Sequence, residues 1–100
     1  MANWHSKETD DLIKAITELN TVEECYTFFE DVCTIKEIIE IAQRLRVAKL
    51  LDSGMSYQAI SKETGASTAT ISRVSKCLEY GNGGYRAAIQ RLGGGEKKYE

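Results

Sequence analysis

Residues 56–78 read SYQAISKETGASTATISRVSKCL, and the spacing within them is that of a helix-turn-helix whose second helix can enter a DNA groove. Ile60 and Thr64 stand four apart on a first short helix, Gly65 and Ala66 make the turn, and Ile71 and Val74 give the second helix a buried stripe at i, i+3. Gly65 sits where the chain must leave the first helix sharply, a place that suits a residue without Cβ. Ser61 keeps the crossing of the two helices free of bulk, and Ser67 can cap the second by accepting from its first free N–H groups. Left for solvent on that helix are Thr68, Ala69, Thr70, Ser72, Arg73 and Lys76. Short side chains at its start let the backbone approach base edges, where threonine methyls can touch thymine and hydroxyls can hydrogen-bond. Arg73 can grip guanine or phosphate with both ends of its fork. A plain helical hairpin with a polar face is the simpler alternative.

Charge favours the nucleic-acid reading. The formal net charge of −2 hides a division along the chain. Residues 1–41 hold three Lys against ten Asp or Glu, a net of −7, whereas residues 42–91 hold eight Lys or Arg against three Asp or Glu, a net of +5. The remaining residues balance. The basic part contains the helix-turn-helix, so a local positive face can steer it to phosphate although the whole chain is acidic.

Working outward, the 100 residues suffice for one small domain, and apolar residues recurring at three and four without proline predict an all-α fold. From Lys7 to Leu19 the residues Leu12, Ile13, Ala15, Ile16 and Leu19 form one apolar face. Thr21 with Glu24 and Thr34 with Glu37 each fit a capping box, opening a second helix and then a long one over 35–52. The second helix wraps its apolar side chains around much of its surface. Along the long helix Ile38, Ile39, Ala42, Leu45, Ala48 and Leu51 make a stripe that Ile41, Val47 and Leu50 broaden. Such width predicts burial against a second copy of the chain. The expected organisation is therefore a mobile arm at 1–6, a helical dimerisation core at 7–55, the helix-turn-helix at 56–80, a final core helix at 85–92 and a disordered tail at 93–100.

Arg44, Arg46 and Lys49 near the end of the long helix are placed to clamp phosphates, with Lys76 assisting from the second helix of the motif. Cys25, Cys33 and Cys77 are expected to be reduced, helix-borne and mostly buried, since free cysteine behaves as a small hydrophobe. With His5 they lack any pair at metal-site spacing, so no metal is expected. One histidine and no Ser/His/Asp or Cys/His set argue against an enzyme. The polar, acidic N-terminus and the lack of a long apolar run point to a cytoplasmic protein.

The segment from Thr34 to Leu92, and more loosely the helices before it, resembles the tryptophan repressor family. The pairing of ECYTFFEDVCTIKEI with GASTATISRV is similar to its YerC/YecD-type branch. The resemblance implies an intertwined six-helix homodimer with two DNA-reading heads. It implies DNA contacts at Tyr57, Thr68, Ala69, Thr70, Ser72 and Arg73, and Ser67 belongs with the same face. It also implies a ligand pocket, in which a corepressor indole lies between two arginines that fall here on Arg44 and Arg73, with Thr34 at a ligand-site position of the partner chain. Two positions depart from the family pattern. A glycine beside the indole is Val74 here, and a serine that binds the ligand amino group is Cys77. A pocket that gains apolar volume and loses a hydrogen-bonding partner binds a zwitterionic amino acid poorly.

These readings lead to a sequence-specific DNA-binding regulator, a repressor acting as a homodimer on a palindromic operator without dependence on tryptophan, and needing no cofactor. Two alternatives stay open: a repressor gated by tryptophan or a related metabolite, and a protein-interaction module that has the helix-turn-helix shape without reading DNA.

Overall fold

The structure, a computed structural model, describes residues 3–93; most of the expected tail, residues 94–100, lies outside the described residues, as do the first two residues of the expected arm. The described residues form six helices: α1 (Lys7–Thr17), α2 (Val22–Val32), α3 (Ile35–Asp52), α4 (Tyr57–Thr64), α5 (Thr68–Tyr80) and α6 (Gly84–Arg91). Among the described residues there is no strand, and no helix is long and apolar enough to cross a membrane. The chain divides into two compact units, residues 1–38 and residues 39–100.

In the first unit the helix starts follow from side-chain caps. Ser6, within the stretch expected to be an arm, caps α1: its hydroxyl accepts from Thr9 N at 3.2 Å while Thr9 Oγ1 accepts from Ser6 N at 2.7 Å. The reciprocal Ser-x-x-Thr pair was not anticipated because the usual signature ends in Glu or Gln. Thr21 caps α2 by accepting from Glu24 N at 3.0 Å, but Glu24 Oε1 accepts from Asn20 N instead of from the cap residue itself. At α3 both arms of the box are present, Glu37 N donating to Thr34 Oγ1 at 3.1 Å and Thr34 N to Glu37 Oε1 at 2.8 Å.

Neither α1 nor α2 has a buried residue. Val22 and Tyr26 are 66% and 65% exposed, and beside them an apolar cavity of about 260 Å³ opens between Val22, Cys25, Tyr26, Phe29 and Ile38. The expectation of mostly buried cysteines is corrected here. Cys25 and Cys77 are exposed and Cys33 is half-buried at the end of α2, because the surfaces that hold the first two are uncovered in the single chain.

The second unit has the core. Val47, Ala48 and Leu50 from α3, Ile60 from α4, Ala66 from the turn, Ile71, Val74 and Leu78 from α5 and Ile89 from α6 form one buried cluster. The helix-turn-helix is therefore built around its own apolar stripe, with Ile60 and Ile71 fully buried. At its N-terminal side α3 ends in a Schellman arrangement: Met55 N donates to Leu50 O at 3.1 Å and Gly54 N to Leu51 O at 3.0 Å. At the other end Arg86 of α6 acts as a bracket. Its Nε donates to Leu78 O at 3.1 Å and its Nη1 meets Asp52 Oδ1 at 3.1 Å, tying the last turn of α5 to the end of α3.

Candidate nucleic-acid interface

The turn between α4 and α5 is fixed by short polar side chains. Gly65 adopts φ +77°, its N–H donating to Ser61 O at 2.8 Å, which is the left-handed exit that glycine makes without steric cost. Ser61 Oγ donates to Ala66 O at 2.9 Å, and Thr64 Oγ1 both donates to Ile60 O at 2.7 Å and accepts from Ala66 N at 3.1 Å. The small residue expected at the helix crossing thus also binds the turn together. From α3, Gln43 Nε2 donates to Thr64 O at 3.2 Å, so the long helix holds the same turn from outside. Ser67 caps α5 by accepting from Thr70 N at 3.1 Å.

Ile71 and Val74 anchor α5 in the core, and the geometry of a helix then turns the intervening positions outward. Ser67, Thr68, Ala69, Ser72, Arg73 and Lys76 are exposed, while Thr70 is half-buried with its hydroxyl 3.1 Å from that of Ser67. Tyr57, at the start of α4, is 41% exposed. These are the side chains that sequence assigns to DNA, and the structure presents them on the solvent side of the two-helix head with one partial exception, Thr70.

The cations divide into two kinds. Residues 42–78 hold two carboxylates, Asp52 and Glu63, and each accepts from an arginine: Asp52 from Arg86, and Glu63 Oε2 from Arg46 Nη2 at 3.2 Å. Among the described residues Arg44, Lys49, Lys62, Arg73 and Lys76 stand in no ion pair. Arg44 and Lys49 are half-buried; the other three are exposed. Arg46 thus differs from its neighbours in a way that its sequence position did not reveal. Nothing in local spacing links it to a residue seventeen positions away.

Arg44, Thr70, Arg73, Val74, Cys77 and Tyr85 line a cleft of about 200 Å³. Four of these, Arg44, Arg73, Val74 and Cys77, belong to the expected ligand pocket; Thr34 lies in the other unit, where it caps α3. Tyr85 was not anticipated as a lining residue and has no local signal that would have placed it there. Val74 is 2% exposed, its side chain spent in the core, and what remains beside it falls below the ~300–1,000 Å³ usual for small-molecule sites.

Residues 7–93 match the model of a family described as Trp repressor protein. The chain is 56% identical over 86 residues to the "Uncharacterized protein YerC" of Bacillus subtilis (strain 168), a match spanning 86% of this chain and 83% of that protein. Among solved structures it is similar to a TrpR like protein from Eubacterium eligens ATCC 27750, with a TM-score of 0.85 and 50% identity over 88% of this chain and 91% of the other.

Proposed function

The chain belongs to the Trp repressor protein family, a family of DNA-binding regulators, and from that premise we propose that it is a homodimeric, sequence-specific repressor of the cytoplasm. The observation that supports this best is the division of labour on α5. Ile71 and Val74 are sunk in the core, and the hydroxyl-rich face of Thr68, Ala69 and Ser72 is exposed beside the cations Arg73 and Lys76. Such a face can make close base contacts from its small residues and grip phosphate or guanine from its cations. Ser67, Thr70 and Tyr57 complete the reading surface, and Lys49 adds sequence-independent attraction. Two heads on one dimer read half-sites about one helical turn apart, so the operator is two-fold symmetric.

Tryptophan is not required in this reading. The cleft at Arg44 and Arg73 is small, Val74 occupies its wall, and Cys77 offers a weak partner for an ammonium group. The presence of a cleft at all favours a second reading, in which a small ligand held between the two arginines sets the pose of α5. Selection of bound duplexes from a random DNA library, with and without tryptophan, separates the two. A symmetric site enriched without ligand is the expected outcome. Enrichment only with tryptophan, together with calorimetric binding abolished by Arg44→Ala, establishes the gated repressor instead. Enrichment in neither condition favours an interaction module.

A further inference from the structure

Glu63 is the one carboxylate of the head, residues 53–78, and its local position disfavours it. It lies in the last turn of α4, where the partial negative charge of the helix C-terminus opposes an acid. Its carboxylate reaches Arg46 on α3 at 3.2 Å, and the two side chains are 46% and 48% exposed. An ion pair this open to water adds little to the stability of a fold. What it alters is charge. A guanidinium held against a carboxylate presents no net charge to an approaching phosphate, whereas Arg44, Lys49, Lys62, Arg73 and Lys76 have no such partner among the described residues.

We propose, resting on the DNA-binding reading above, that Glu63 is an internal competitor for the DNA backbone. It occupies the Arg46 guanidinium with the same kind of charge-assisted hydrogen bond that a phosphate oxygen would make. A phosphate can gain Arg46 only by displacing this carboxylate, and two anionic oxygens exchanging on one guanidinium leave little net gain. Glu63 therefore limits the absolute affinity for DNA. Arg46 is a phosphate contact in this scheme, so sequence preference is untouched. Glu63 acts through Arg46 and is a positioning residue.

The test is the salt dependence of binding to a random-sequence duplex and to the selected site, read by fluorescence anisotropy for the wild-type chain, Glu63→Gln, Arg46→Ala and the double variant. Glu63→Gln keeps the side-chain volume and removes the charge, and thermal unfolding checks that each variant is folded. The expected result is a steeper plot of log K against log salt for Glu63→Gln, by about 0.9 per head, the increment of one further phosphate contact. Affinity should rise by the same factor for both duplexes. In the Arg46→Ala background the same change should shift the slope by less than half as much, since a lone exposed carboxylate is screened over about 8 Å at physiological salt. Equal shifts in both backgrounds, or no shift, overturn the role given to Glu63. A wild-type chain without salt-dependent affinity for duplex overturns the DNA-binding reading itself.

Discussion

Ile60 of α4 and Ile71 of α5 are both fully buried in the core of the second unit. Truncating Ile60 to Ala should therefore cost about 2–5 kcal/mol in chemical denaturation, through lost burial and the cavity left behind. Gly81 gives a different kind of sensitivity. A Cβ there would collide with the carbonyl oxygen of Cys77, a backbone atom of the last turn of α5 that has no freedom to withdraw. Gly81→Ala should cost about 1–3 kcal/mol and fray α5 at that end, seen as faster amide exchange from Leu78 to Tyr80. At this scale Gly65, Ser67, Ile60, Ile71 and Val74 were legible because their roles are local: a turn, a cap and a stripe are written in spacings of three and four. The partnerships of Arg46 with Glu63, Gln43 with Thr64, and Arg86 with Asp52 were not, since they join residues 17, 21 and 34 positions apart. Arg86 in particular resembled any surface cation of a short helix.

Each helix is delimited by chemistry that can be tested one cap at a time. The box at the start of α3 satisfies the amides of both Thr34 and Glu37, and Thr34→Ala removes the half that faces the helix interior. The expected loss is about 1 kcal/mol, measured by urea denaturation, with little effect on the second unit because α3 continues there on Val47, Ala48 and Leu50. The bracket made by Arg86 belongs to the same scale. Arg86→Ala leaves the Leu78 carbonyl without its side-chain donor and should loosen α6 from α5, which one-dimensional methyl spectra of Ile89 would report through increased exchange broadening. Sequence periodicity placed all six helices closely, with α3 matching its expected ends and α1 ending two residues earlier than its apolar face suggested. That Leu19 lies past the helix is a reminder that an apolar residue can follow the stripe after the backbone has turned away.

For the molecule as a whole, a single chain leaves much apolar surface facing water. Ile35, Ile39 and Ile41 on α3 are 61%, 61% and 52% exposed, and no residue of α1 or α2 is buried. Surface of this extent fits the homodimer proposed above, in which a second copy would cover it. Ile39→Glu should accordingly convert a dimer into monomer in sedimentation equilibrium and make the melting temperature low and independent of concentration, whereas Thr68→Ala should leave both unchanged. The width of these faces was legible in sequence; the exposure of Cys25 was not, because burial of a small hydrophobe depends on which surface a partner covers. The head has a separate property that follows from its hydrogen bonding. Ser61, Thr64, Ser67 and Gln43 hold the turn, while the side chains of Thr68 and Ser72 make no hydrogen bond among the described residues and Ala69 has none to make. Thr68, Ala69 and Ser72, three of the positions proposed to read bases, are thus unlinked from the hydrogen bonds that build the frame, whereas Ser67 and Thr70 take part in both. Substitutions at 68, 69 and 72 should therefore leave the folding of the head nearly unchanged while, in the DNA-binding role proposed above, altering the sequence it selects.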